Sequence, residues 1–181
     1  DGSDGFRMAG GAADDFMGQD AATAGDFNGD GIDDFFIGAA RADHAGENFG
    51  AVYLVLGKSG DSPEELSILS LNSSTGIRFE GTSNSFTGFN TSHAGDVNGD
   101  GISDIVIGAM NASPAGNSSG SAYVVFGSQT VQGAAVSLGD LDGSDGFQIS
   151  GKIEFERIGG GVGGGGDING DGISDVVIGA I

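Results

Sequence analysis

One string of residues, written three times, constrains this chain more than any other feature. Gly25-Asp26-Phe27-Asn28-Gly29-Asp30-Gly31-Ile32-Asp33-Asp34-Phe35-Phe36-Ile37-Gly38-Ala39 recurs from Gly95 to Ala109 and again from Gly166 to Ala180, at offsets of 70 and 71 residues. Other pieces repeat in step. Asp1 to Phe6 returns word for word as Asp142 to Phe147, and Gly50-Ala51-Val52-Tyr53-Leu54-Val55-Leu56-Gly57 is matched by Gly120-Ser121-Ala122-Tyr123-Val124-Val125-Phe126-Gly127. A fixed period of this kind is the signature of repeat architectures. The units are 1–70, 71–141 and 142–181, two complete and about half of a third.

Each unit reads as β-structure. Short β-branched and aromatic runs, Phe6–Met8, Phe35–Ile37 and Val52–Leu56, are bounded by Gly, Asn or Asp and have equivalents one unit on. Phe35-Phe36-Ile37, Ile105-Val106-Ile107 and Val176-Val177-Ile178 are apolar at every position. A strand with one wet face would alternate, so these runs predict strands covered on both faces. Small residues precede each acidic loop, at 21–24, 91–94 and 162–165, where they would let backbones approach closely. No sustained 3.6-residue apolar period predicts helix. The fold class expected is all-β, with propeller-type blades of four-stranded antiparallel sheets. Units of 70 residues exceed the usual blade of about 40–50, which predicts long loops at 58–71 and 128–140. Two and a half units do not close a ring. Closure by other parts of the chain, assembly of several copies, and an open stack all stand as alternatives.

The acidic loop reads as a ligand series. Positions 1, 3, 5, 7 and 9 are Asp26, Asn28, Asp30, Ile32 and Asp34; then Asp96, Asn98, Asp100, Ile102 and Asp104; then Asp167, Asn169, Asp171, Ile173 and Asp175. Calcium takes about 6–8 oxygen ligands, and alternate residues of a tight loop can turn oxygens toward one point. Glycine at position 6 (Gly31, Gly101, Gly172) permits the turn. Position 7 needs only its carbonyl, so isoleucine is acceptable there. Carboxylates crowded this closely repel one another without a cation. The ordinary-turn reading of an Asp-Asn-Gly run weakens when every oxygen position is retained in three copies. Three calcium sites with a mainly structural role are predicted, whose binding adds to folding free energy. The affinity expected is that of extracellular modules, about 10⁻⁴–10⁻³ M. Magnesium, which retains waters, fits less well. An EF-hand or dockerin-like loop fits poorly: position 12, where an EF-hand would place a bidentate Glu, is Ile37, Ile107 or Ile178, and the loop exits into a strand.

Charge narrows the partners. Six Lys+Arg against 26 Asp+Glu give a formal net charge of −20. That excess repels phosphate backbones and anionic lipid, so neither nucleic acid nor membrane insertion is expected. The chain has no cysteine, hence no disulfide or thiolate site, and no apolar run near the roughly 18 residues of a membrane span. The start at Asp1 and the stop at Ile181 inside a motif are read as a mature or truncated piece of something larger.

Phe-x-Gly, then Gly-Asp-x-Asn-Gly-Asp-Gly-x-x-Asp, then Ile-Gly-Ala, then Gly-x-x-Tyr-Val-x-Phe-Gly resembles the FG-GAP repeat of integrin α-subunits and many bacterial surface proteins. The resemblance implies a β-propeller with calcium in a hairpin loop of several blades, held by the residues above, with the Ile32, Ile102 and Ile173 carbonyls included. The sequence departs from the pattern in having Ala40, Met110 and Ile181 where the family has proline, and in its repeat number. The role expected is an extracellular or cell-surface structural or adhesive module, not an enzyme. Its partners would be other repeats, further copies of itself, or a protein or glycan ligand. A filament subunit and a non-catalytic appendage of a secreted hydrolase are the alternatives.

Remaining features take plain readings. His44 and His93 belong to no visible triad and read as surface or loop residues. Arg41-Ala42-Asp43 faintly resembles an adhesive tripeptide by chance. Asn72, Asn90, Asn111 and Asn117 begin glycosylation sequons. Gly159 to Gly166 is all glycine except Val162. It signals either close packing at a crowded axis or glycines recorded where the chain carries others.

Overall fold

The computed structural model describes residues 5–43, 48–60, 64–130 and 134–181. Thirteen strands and two short 3-10 turns make up the regular structure of these residues. The first complete sheet takes β2 (Met17–Gly25), β3 (Asp34–Ala39), β4 (Ala51–Val55) and β6 (Gly76–Glu80) as an antiparallel meander. The second repeats it with β7 (Thr91–Gly95), β8 (Asp104–Ala109), β9 (Ser121–Val125) and β11 (Gly146–Ser150). The third unit contributes β12 (Gly161–Gly166) paired with β13 (Asp175–Gly179). These are propeller-type blades, and the all-β reading holds.

Sheet and sequence repeat are out of phase. The strand near the start of each unit, Gly76–Glu80 or Gly146–Ser150, forms the outer strand of the sheet begun in the preceding unit. Correspondingly, β1 (Arg7–Ala9) lies outside both four-stranded meanders and pairs in parallel with β5 (Glu65–Ser67). The same pairing recurs where β10 (Ala135–Ser137) runs parallel to β6, making the first sheet five-stranded rather than four. These short strands lie in the long loops at 58–71 and 128–140, each followed by a 3-10 turn that buries Ile68 or Leu138. Among the described residues, β5 and β10 of these loops thus run along the first strand of their own unit, β1 or β6. Edge strands left open invite pairing with other chains, and this strap covers one.

Apolar residues at consecutive positions have a simple cause. Alternate side chains of a strand point to opposite faces, and both faces of the blades are packed. Ile105 and Ile107 of β8 enter a core shared with Phe36, Val52, Leu54 and Phe79 of the first sheet. Val106 and Val124 face the other way, against Val162 and Val176 of the third unit. Tyr53, Ala39 and Ala51 face a further cluster that includes Ile68. Every residue of β4, β8 and β9 is buried.

The small residues before each loop form the innermost strands, where blades meet. A methyl group at Gly164 would lie 2.7 Å from the Ala94 Cα, and one at Gly159 would lie 2.2 Å from the Ser121 carbonyl oxygen. Gly161, Gly163 and Gly166 have open space beside them among the described residues. Close packing therefore accounts for part of the glycine run and not for the rest. His93 sits on the same inner layer, half-buried, its Nε2 enclosed without a hydrogen-bond partner among the described residues. His44 lies outside the described residues.

Candidate metal centres

The three acidic loops join β2 to β3, β7 to β8 and β12 to β13, so each sits at the tip of an inner hairpin. Their side chains curl inward by one repeated pattern. In the first, Asp26 Oδ1 accepts from the Asp30 amide at 2.9 Å and Oδ2 from the Gly31 amide at 2.8 Å. Asn28 Oδ1 accepts from the Asp30 amide at 3.0 Å, and Asp30 Oδ1 from the Ile32 amide at 2.9 Å. Asp96, Asn98 and Asp100 repeat every one of these bonds, as do Asp167, Asn169 and Asp171. The glycine at position 6 has φ of 86 to 90° in the three copies, a left-handed turn that excludes other residues at little cost only to glycine. Positions 3 and 5 are brought side by side: Asn28 Nδ2 donates to Asp30 Oδ2 at 2.9 Å, and Asn98 Nδ2 to Asp100 Oδ2 at 3.0 Å.

The ninth position is placed differently. Asp34 is 1% exposed and Asp104 fully buried. Asp34 Oδ2 accepts from the Phe27 amide at 2.9 Å and Oδ1 from the Gly57 amide at 2.7 Å. Asp104 does the same with Val97 and Gly127. This carboxylate ties the loop to the residue that leaves the third strand. The glycine of the repeated Tyr-x-x-x-Gly string is legible as a repeat, but its task is not. It donates to the position-9 carboxylate while its Cα passes close to the position-8 carbonyl, where a methyl group at Gly57 or Gly127 would lie 2.4 or 2.3 Å from that oxygen. Asp175 accepts from Ile168 and Asn169 on a more open surface.

Electrostatics records the crowding. Burial pushes the Asp104 carboxyl up to about 6; the Gly127 and Val97 amides oppose this, and repulsion from Asp100 and Asp96 adds to it. Asp34 is raised in the same way, by burial first, with repulsion from Asp30 contributing. Asp167, exposed, is lowered by its bond from the Gly172 amide.

Among the described residues, no three His, Cys, Asp or Glu side chains are gathered as a ready metal cage. The carboxylates are held by loop amides instead. The donor set still fits a hard divalent cation. It is all oxygen, and a carboxylate offers about four lone-pair sites, of which these amides use only part. Mutual repulsion at Asp104 is of the kind a cation relieves.

Neighbouring loops touch, through the position-7 residues of the ligand series and the position-8 residues that the ligand spacing did not single out. The position-8 amide of Ser103 donates to the Asp26 carbonyl at 3.2 Å, and that of Ser174 to the Asp96 carbonyl at 3.0 Å. At position 7, the Ile102 Cδ1 lies 3.5 Å from where a methyl on Gly29 would stand, and the Ile173 Cδ1 lies 3.0 Å from the same point on Gly99.

The remaining candidates are structural. Arg41, exposed, stacks on Phe16 at 4.4 Å from its centroid, Ala42 is fully buried and Asp43 is exposed. Asn90 Nδ2 donates to the Gly160 carbonyl at 2.8 Å, which uses the sequon amide as a tie between blades. Among the described residues, no helix is long and apolar enough to cross a membrane.

Comparison with known proteins follows the same repeats. The FG-GAP repeat profile matches residues 17–55 and 89–125. The chain is 29% identical over 147 residues to integrin alpha-6 of Gallus gallus, covering 78% of the chain and 12% of that protein. It is 32% identical over 162 residues to integrin alpha-PS5 of Drosophila melanogaster, covering 88% and 14%. Phosphatidylinositol-glycan-specific phospholipase D of Dictyostelium discoideum is 28% identical over 136 residues, covering 74% and 14%. The chain thus spans about an eighth of the length of these relatives.

Proposed function

This chain is an FG-GAP repeat protein, distantly similar to integrin alpha subunits, and on that premise we propose that it is a calcium-stabilised structural or adhesive module that works outside the cell and has no catalytic site of its own. FG-GAP repeats commonly bind Ca2+. The observation that carries the reading is the threefold recurrence of one inward-turned oxygen pattern on three hairpin tips. Three sites would be held by Asp26, Asn28, Asp30, the Ile32 carbonyl and Asp34, and by their equivalents at 96–104 and 167–175. A bound divalent ion supplies charge neutralisation among these carboxylates. The residues' own part is positional: amides 30, 31 and 32 hold the oxygens at the tip, and the buried Asp34 ties that tip to Gly57.

The partners proposed are further repeats or further copies of the chain, or a protein or glycan ligand. The packing of blade on blade supports the first: Val106 and Val124 of the second sheet pack against Val162 and Val176 of the third unit. A second reading, a non-catalytic appendage of a secreted hydrolase, draws on the similarity to the phospholipase D.

The test is metal content and stability together. Elemental analysis after dialysis into calcium should find three ions per chain, and EGTA should lower the melting temperature until calcium is restored. Absence of bound calcium with identical melts in both buffers would reject the reading.

A further inference from the structure

We propose that the acidic loops bind their cations cooperatively, each occupied loop raising the affinity of its neighbour through the side chain and amide that follow the position-6 glycine. The inference rests on the calcium reading above and concerns what couples the sites rather than whether they exist.

The coupling device is built from two contacts that appear at both loop junctions. Position 7 would give its carbonyl to its own loop's cation, but its side chain belongs to the loop before: Ile102 lies over Gly29, and Ile173 over Gly99. One residue next in sequence, the Ser103 and Ser174 amides bond to the carbonyls of Asp26 and Asp96, the position-1 residues of the loop before. The Ser174 hydroxyl also accepts from the Asp96 amide at 3.2 Å, closing a two-bond ring with it. At Gly25 and Gly95 a methyl group would lie 2.4 and 2.2 Å from the Ser103 and Ser174 hydroxyls, so the serine is seated against the backbone just before the preceding loop.

The physical consequence follows from where each group is fixed. A cation that holds the position-7 carbonyl fixes that residue's backbone, and with it the side chain over the neighbouring glycine and the amide on the neighbouring position-1 carbonyl. The neighbouring loop then loses part of its conformational freedom before it binds anything. A second cation meets a loop already ordered and gives up less entropy, which is positive cooperativity without a large change of shape. Coupling must be reciprocal between the two sites. It should also weaken with distance, because among the described residues these contacts link loop two to loop one and loop three to loop two.

Calcium titration by calorimetry tests this on the whole chain. The parent should saturate more steeply than independent sites. Ile102→Ala with Ile173→Ala keeps every ligand atom, since only the carbonyl is used. It should lose the steepness and bind the later ions about 5-fold or more weakly, the lower range of measured couplings. Silencing the middle loop with Asp96→Asn and Asp100→Asn should leave two ions that bind more weakly than in the parent and independently of each other. Melting curves and circular dichroism in calcium confirm that each variant is folded, and the middle-loop pair gives the answer should the isoleucine pair not fold. Three ions bound independently by the parent, with affinities unmoved by either pair, would overturn the coupling and leave the metal reading standing. Failure of the parent to bind any calcium would remove both.

Discussion

The second and third units carry nearly the same string, Asp-Ile-Val-Ile-Gly-Ala at 104–109 and Asp-Val-Val-Ile-Gly-Ala at 175–180. Their surroundings differ sharply. Ile105, Val106 and Ile107 are all fully buried, whereas Val177 is 57% exposed and Ile173 of the preceding loop 37%. The middle blade has a neighbour on each face, so alternate side chains of one strand serve two cores. An all-apolar strand is therefore a property of stacking, not of the strand: the same residues contribute much or little according to what lies beside them.

Three pairs of substitutions, from the largest effect down, and one titration sharpen that contrast. Ile107→Ala should cost about 2–5 kcal/mol, from lost burial plus the cavity left in a rigid core. Val177→Ala should cost less than about 0.5 kcal/mol, as surface changes do. Urea unfolding of both variants measures the difference, and equal losses would break the comparison.

The glycine of Ile-Gly-Ala gives the second pair. A methyl group at Gly108 would stand 2.3 Å from the Gly159 carbonyl oxygen, backbone of the next unit, while one at Gly179 meets nothing closer than 3.5 Å. Gly108→Ala should then destabilise by about 1–3 kcal/mol or more, the usual range for overpacking. Gly179→Ala should be within about 1 kcal/mol of the parent, because the site has room. Thermal melts of the two proteins in one buffer decide it.

Asp104→Ala strands the Val97 and Gly127 amides away from water. In chelator, where metal contributes nothing, the loss should be about 1–3 kcal/mol. Asp175→Ala exposes its amide partners to solvent, which replaces the lost acceptor, so its loss should be the smaller by chemical denaturation.

The last contrast is in pH. Asp104, raised to about 6, is protonated in the folded chain over a range where an unfolded Asp, near 3.9, has already ionised. Its contribution to stability is full below about 4 and is lost as pH rises through 6. Carboxyl NMR in chelator should show Asp104 titrating near 6 and the exposed Asp167 below the ordinary range. A titration of Asp104 at the usual Asp value would remove this part of the contrast.

Much of the fold was legible because repetition amplifies weak signals. Strands at Phe35–Ile37 and Val52–Leu56 lie within Asp34–Ala39 and overlap Ala51–Val55, and the tight backbone approach at the inner strands was announced by runs of small residues. The acidic loops were visible as oxygen series for the same reason. What was not legible is pairing across sequence distance. The strand Ala135–Ser137 is short and carries no period, and its parallel seat on Gly76–Glu80 is decided by the blade it passes over. Ser103 and Ser174 carry no local signal of their role, because the carbonyls they meet lie 77 and 78 positions back in the chain.

The sequence by itself determined the local chemistry: the left-handed glycine turns, the inward carboxylates, the strands that follow them, and the number of units. These follow from interactions a few residues long, which any copy of the string carries with it. Only the tertiary structure decided which outer strand completes which sheet, why position 9 is buried beside Gly57 or Gly127, and that successive loops touch. Those depend on how blades stack, and stacking is set by surfaces that meet in space rather than along the chain.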